Sequence, residues 1–372
     1  MNTPRLVPDC GGLIEEVALT LPPFLLAPAQ AAKRRALGNL AEALPAGVAL
    51  ILLAEEPMAV AVEDWAAGLR LRCTPRILAT APTGTTRDAD LWTQDTFLAA
   101  EHDGATVLLP LLHTDHPGQH AQALTRGLAG ATRSIIAAPP LHLAGGNMLT
   151  GADFRLVGAA SIENTRLVGD RPMTSDEALV RHRALDERPL YLFGFPLPTR
   201  ERPQPLAQQP HHLDLVLSLT GKITAAGKPL LLLADPRSTL NPDGPRMAGW
   251  AEQLDATAER LEADGFAVQR NKVPYLAHPA YAPNPSLRAY NNVMLENALR
   301  PGRSQPLAWL PHFGDLEPDL EVYDRANRAI WQSLGFEVVP VPGWSALVRA
   351  GGVLRCAAKV LRRGLAPAPI LT

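Results

Sequence analysis

Gly335-Phe336-Glu337-Val338-Val339-Pro340-Val341-Pro342 closes one segment of the chain and opens the next. The glycine can take the positive φ that ends a helix, the phenylalanine and valines suit a buried strand, and the Val-Pro pair stops it. The same order stands roughly 70 residues earlier, where Gly265-Phe266-Ala267-Val268 runs on to Val273-Pro274. Each copy follows an apolar stripe at helical spacing: Ala251, Leu254, Ala258 and Leu261 before the first, Val322, Ala326, Ile330 and Leu334 before the second. A unit of helix, Gly-Phe turn, strand and Val-Pro loop predicts an α/β chain built on an internal repeat. Helix-glycine-strand junctions are common in α/β proteins, so on this pattern alone coincidence stays open.

Outward from these copies the alternation continues. Residues 28–44 have helical composition, and Pro45-Ala46-Gly47 stops them before the apolar run 48–53, short enough for a buried strand. A brief helix at 63–69 and a strand at 76–79 follow, then a strand at 107–112, a helix near 120–128 and a strand at 134–137. Residues 170–188 are charged and predict a surface helix, with Thr174-Ser175-Asp176-Glu177 at its start as N-capping chemistry. Segments 213–219 and 230–233 read as strands. No Pro/Ser-rich linker divides the chain, which predicts one continuous domain rather than two.

Composition narrows the function classes. The 372 residues are 47% hydrophobic and 19% charged with a formal net charge of −2, which offers neither nucleic acid nor an anionic membrane a large basic face. No run reaches the roughly 20 apolar residues that span a bilayer. Met1-Asn2-Thr3-Pro4-Arg5 lacks the layout of a secretory signal, so a cytoplasmic location is expected. Three cysteines at wide spacing, Cys10, Cys73 and Cys356, make neither a disulfide framework nor a Cys-rich zinc site. The 36 prolines, about twice average usage, sit between apolar runs and predict many short, stiff loops.

Five short stretches carry candidate chemistry. Leu91-Trp92-Thr93-Gln94-Asp95 sets an acid where a loop meets a strand, a place that also suits a turn or cap. Ala144-Gly145-Gly146-Asn147-Met148 allows close backbone approach or a bulge, and lacks the spacing of a nucleotide-binding glycine loop. Pro210-His211-His212-Leu213-Asp214, read as a strand, sends His212 and Asp214 to one face, where imidazole and carboxylate suit acid/base work or a metal. Metal is the minor option, because His102, His113, His116 and His120 form no His-Glu-x-x-His helix. Ala289-Tyr290-Asn291-Asn292 places asparagines at the mouth of another apolar strand, and Gly351-Gly352-Val353-Leu354-Arg355-Cys356 presents one thiol after a tight turn. A buried cysteine is by default a small hydrophobe, so the thiol gains meaning only from its companions.

In order, Trp-x-x-Asp, Gly-Gly-Asn, His-x-Asp, Tyr-x-Asn and Gly-Gly-x-x-x-Cys resemble the motifs of the guanidino-group-modifying enzymes, the penteins, over about residues 25–365. That superfamily includes arginine, agmatine and peptidylarginine deiminases and amidinotransferases. The resemblance implies a five-bladed pseudosymmetric α/β propeller of ββαβ modules, and it bounds the domain at 25–365, with an N-terminal extension over 1–24 and a tail over 366–372. It implies Cys356 as nucleophile, His212 as general acid and then base, and Asp95 and Asp214 as the carboxylates that grip a guanidinium. Asn147, Asn292, Trp92, Gln94 and Arg355 are the expected substrate-binding set. No metal or other cofactor is expected.

The implied reaction is hydrolysis of a guanidine, arginine or a derivative, to a ureido product and ammonia through a covalent thiouronium. An amidinotransferase and a non-catalytic guanidine- or protein-binding propeller are the alternatives. The expected partner is a small-molecule guanidine or a peptidyl arginine, with a homodimer allowed and neither nucleic acid nor membrane. Departures leave the subfamily open. Ala144 stands where deiminases of free arginine and agmatine usually have Glu, Gln94 matches the peptidylarginine deiminases, and Arg355 matches the arginine deiminases. Asn292-Val293-Met294-Leu295 and Arg362-Arg363-Gly364 are similar to the amidinotransferases.

Overall fold

The computed structural model describes residues 3–82, 91–111, 118–137, 141–168, 171–194, 211–237 and 244–364. His113, His116 and the expected tail at 366–372 lie outside the described residues. Five sheets among those residues share one plan: two strands pair antiparallel, a helical segment follows, and a further strand pairs parallel with the second. In the first, Phe97–His102 pairs with Ala105–Pro110, the helix is Gly118–Thr132, and Ile135–Ile136 closes. The second uses Met148–Thr150, Arg155–Gly158 and Leu190–Phe193, with helices Ala159–Thr165 and Ser175–Ala184 between the last two strands. The third uses Leu217–Ile223, Pro229–Asp235, helix Gly244–Ala263 and Ala267–Lys272. The fourth uses Met294–Leu295, Leu307–Pro311, helix Glu321–Ser333 and Glu337–Val341.

The fifth sheet joins the two ends of the chain. Ala358–Arg363 pairs antiparallel with Ile14–Leu21, which pairs parallel with Ala49–Glu55 across the helix Ala31–Ala43, and Pro75–Thr80 adds an outer strand. Part of the stretch expected as an N-terminal extension, 1–24, is therefore an inner strand, paired on both edges and largely buried. Strands such as Pro229–Asp235 and Ala49–Glu55 are covered on both faces, which is why they read as continuous apolar runs. No helix among the described residues is long and apolar enough to cross a membrane.

The Gly-Phe echo marks equivalent corners of the third and fourth sheets. Gly265 and Gly335 take φ of +99° and +82°, where a Cβ is strained. Phe266 and Phe336 then donate backbone N–H bonds to the Leu261 and Trp331 carbonyls and bury their rings. The capping chemistry at Thr174 is also present: its hydroxyl accepts from Glu177 N–H while the Glu177 carboxylate accepts from Thr174 N–H.

Two local expectations are corrected. Of the predicted stripe Leu334 is buried and Ile330 packs on the core, but Val322, 55% exposed, and Ala326 face out, and the buried residues of Glu321–Ser333 are Tyr323, Asp324, Asn327 and Trp331. The inward face is partly polar because it serves hydrogen bonds. Asp324 accepts from the Tyr290 hydroxyl and from the Phe313 and Gly314 N–H groups, and Asn327 bonds Asn271. An apolar-stripe rule cannot see such a face. The second correction is at Leu213–Leu215, which forms a 3-10 turn, so the alternation argument that put His212 and Asp214 on one strand face does not apply.

That turn belongs to a pattern. Thr93–Asp95, Gly145–Asn147 and Leu213–Leu215 are single 3-10 turns, and Leu354–Ala357 is one α-turn, each leading into the first strand of a sheet. The turn at 289–293 does the same before Met294–Leu295. The first of these lead-in turns packs on the second and on Leu354–Ala357, and the second packs on the third.

Phe336→Ala should cost about 3–5 kcal/mol by urea titration, whereas Val322→Ala should cost less than about 0.5 kcal/mol. Comparable costs would return the predicted stripe to the core.

Candidate active site

The lead-in turns carry all five candidate motifs, and their packing brings Asp95, His212, Asp214, Asn292, Arg355 and Cys356 together around Gly146. Gly146 N–H donates to Asp95 Oδ1 at 2.8 Å. A Cβ on Gly146 would lie 2.7 Å from His212 Nδ1 and 3.0 Å from Asp214 Oδ1, so only glycine lets these two side chains close on the turn. Beside it, a Cβ on Gly145 would meet the Gln94 carbonyl at 1.8 Å. The close approach read from the glycine pair is thus an approach to the chain's own acid/base groups. His212 Nδ1 lies 3.8 Å from Asp95 Oδ2, and its ring sits 4.4 Å from that of His211.

Cys356 is 1% exposed and is held from two sides by one amide. Asn292 Oδ1 accepts from Cys356 N–H at 3.1 Å, and Asn292 Nδ2 reaches Sγ at 3.3 Å and the Asp214 carbonyl at 3.4 Å. Sγ lies 3.9 Å from Asp214 Oδ2. Burial, then the Asp214 and Asp95 charges, push the thiol well above 9, which favours its neutral form. Burial also pushes Asp214 up to about 6, with Arg355 pulling it down and Asp95 pushing it further up. Asp214 Oδ1 is buried and, among the described residues, has no hydrogen-bond partner.

Arg355 is placed as an internal counter-ion. Its Nη1 donates to Asp214 Oδ2 at 2.5 Å and its Nη2 to Asp9 Oδ1 at 2.6 Å. Burial by itself would lower its pKa, and the Asp9 and Asp214 charges more than offset that and raise it. Three more of the expected substrate-binding side chains are engaged within the protein. Asn147 Nδ2 donates to Ser161 Oγ and its Oδ1 accepts from Leu213 N–H, which fixes the second turn to the third. Gln94 Nε2 donates to the Gly145 carbonyl. Trp92 donates its indole N–H to the Ala350 carbonyl, and a Cβ on Gly352 would lie 2.8 Å from its ring.

Two groups of this cluster escaped sequence reasoning. Asp9 sits in an aperiodic stretch before Cys10-Gly11-Gly12, and Lys359 lies on a strand whose neighbours are apolar. Burial lowers Lys359 to about 8, against the Asp9, Asp95 and Asp214 charges that raise it. Neither residue had a local signal, since both act through contacts distant in sequence.

No family model matches the sequence, and no curated protein matches it. Solved structures do match. The agmatine deiminase of C. jejuni superposes with a TM-score of 0.66 at 13% identity, covering 97% of this chain and 97% of its own. The agmatine deiminase of Enterococcus faecalis gives 0.64 at 12% identity over 96% and 97%. The chain has the pentein fold. The mixed α/β fold of this type expected from the five motifs is observed, and the motifs fall on the lead-in turns.

A neutral, buried thiol between two carboxylates becomes a nucleophile only when a cation enters beside it. Alkylation of Cys356 by iodoacetamide in the ligand-free protein, followed by peptide mass mapping, should be slow at pH 7 and rise through pH 9 and above. A midpoint below pH 8 would contradict the electrostatic reading.

Proposed function

We propose that the chain is a cysteine-dependent hydrolase of a guanidine, arginine or an arginine derivative, built as a single domain whose five ββαβ units form a five-bladed α/β propeller around the Cys356 cluster. The observation that carries the reading is the unpartnered Oδ1 of buried Asp214 beside the Cys356 thiol, with Asp95 and His212 across Gly146. A guanidinium is planar, cationic and rich in N–H donors, so it satisfies buried carboxylate oxygens by charge-assisted bonds and presents its central carbon to the sulfur.

The chemistry follows from the charges. An arriving guanidinium offsets Asp214 and Asp95, the two charges that hold the Cys356 proton on; that proton passes to His212 and leaves the thiolate. Sulfur attacks the central carbon and gives a tetrahedral adduct. His212 gives a proton to one nitrogen, which leaves as ammonia, and a thiouronium remains on Cys356. Neutral His212 then takes a proton from water as the water oxygen attacks the same carbon. The carbon–sulfur bond breaks, and a ureido product leaves. Asn292, bonded to both the backbone and the sulfur of Cys356, fixes the direction of attack.

Agmatine is the substrate named by those two neighbours, and it is a guanidine. At 12–13% identity that supports the class of compound rather than the compound. Arginine, agmatine, N-acylarginine and an arginyl peptide are therefore the panel to assay, by ureido colour development and ammonia release.

Turnover on at least one of them is expected, with none for Cys356→Ala and a loss of about 100-fold or more in kcat/KM for Asp214→Asn. Asp214 has a raised pKa and acts ionised, so wild-type kcat/KM should climb as pH rises through about 6. No turnover on any guanidine, or turnover only with an added amine acceptor, would overturn hydrolysis.

A further inference from the structure

Arg355 divides its guanidinium fork between two carboxylates, Nη1 on Asp214 Oδ2 at 2.5 Å and Nη2 on Asp9 Oδ1 at 2.6 Å. The usual preference of this planar fork is a paired contact with both oxygens of one carboxylate. Asp9 prevents that and is itself immobilised. Its Oδ2 accepts from Thr150 N–H at 2.7 Å, its N–H donates to the Thr150 carbonyl at 2.7 Å, and its own carbonyl accepts from Arg363 Nη2 at 2.8 Å. The other oxygen of Asp214, Oδ1, is buried and has no partner among the described residues.

An arginine side chain is chemically the same group as a guanidine substrate. Attached to the protein next to Asp214, it competes at the high effective concentration of an intramolecular ligand. We propose that Asp9 is a positioning residue: by tethering one arm of Arg355 it confines that arginine to a single oxygen of Asp214 and keeps the other oxygen open for the substrate's guanidinium. The proposal rests on the guanidine-hydrolase reading above. It gives the N-terminal stretch, far in sequence from every motif, a part in substrate recognition. The charged and titratable groups around Asp214 are Arg355, Asp95 and Asp9, with Cys356 in contact, His212 across Gly146 and Lys359 facing the same carboxylates.

The test is steady-state kinetics on the substrate that wild type turns over best. Asp9→Asn keeps the shape and removes the charge, so Arg355 should fold onto both oxygens of Asp214. KM is expected to rise about tenfold or more while kcat stays within about threefold. Adding Arg355→Lys should bring KM back toward wild type, because one ammonium cannot fork across two oxygens. An unchanged KM in Asp9→Asn, or the same rise with and without Arg355→Lys, would overturn the proposal.

If Asp9→Asn does not fold, Arg355→Met decides. Loss of the guanidinium that pulls Asp214 down should move the acid limb of kcat/KM to higher pH, with KM at alkaline pH no higher than wild type. A KM raised at every pH would make Arg355 a substrate contact and refute its role as a restrained competitor. A wild type inactive on every guanidine defeats the functional reading and this inference together, whereas the other adverse results strike the inference alone.

Discussion

Two carboxylates, Asp95 and Asp214, are buried within reach of one another and of a buried thiol. Removing a carboxylate from water costs several kcal/mol unless cations and hydrogen bonds offset it. Here the buried Arg355, Lys359 and Arg363 are the cations whose charges reach Asp9, Asp95 or Asp214. Burial, with the Asp95 charge added, holds Asp214 up at about 6; burial, with the Asp214 and Asp95 charges added, keeps the Cys356 proton on well above 9; and among the described residues one oxygen of Asp214 has no partner. A planar monocation placed among them relieves all three, which couples binding to activation of the sulfur.

The fold makes such a cluster affordable by assembling it from turns that the sheets hold rigid. Asp95, Asp214, Arg355 and Cys356 sit on single turns that lead into a strand within two or three residues, at Phe97, Leu217 and Ala358. Glycines at 145 and 146 let neighbouring turns meet at distances that any side chain would forbid. The pairing of Ala358–Arg363 with Ile14–Leu21 ties the turn that bears Cys356 to the N-terminal strand, and this carries Asp9 to Arg355. The polar inner face of Glu321–Ser333 supports Tyr290 and Asn271, and Asn271 in turn bonds Asn291, the neighbour of the residue that holds Cys356.

Much of this was legible in the sequence because it depends on local grammar. The Gly-Phe corners needed positive φ followed by a buried ring, and the sequence shows both. The site motifs were legible as an ordered set, although the geometry assumed for His212 and Asp214 was wrong, since one extended residue and a 3-10 turn replace the strand. The stripe on Glu321–Ser333 was right at Ile330 and Leu334 and wrong at Val322 and Ala326, because Asp324 and Asn327 are buried for hydrogen bonding rather than for hydrophobicity. Asp9 and Lys359 were invisible, as their meaning lies in ion pairs and fields across the whole length of the chain. Trp92, Gln94 and Asn147 matched the motif positions, and their side chains bond the turns to one another.

The most direct measurement is the intact mass of the Cys356 peptide after acid quenching during turnover of arginine, agmatine or an arginyl peptide. A nucleophilic Cys356 predicts a transient adduct equal to the substrate less ammonia, formed before ureido product and absent from Cys356→Ala. Ureido product released with Cys356 unmodified at every quench time, or retained in Cys356→Ala, would contradict it.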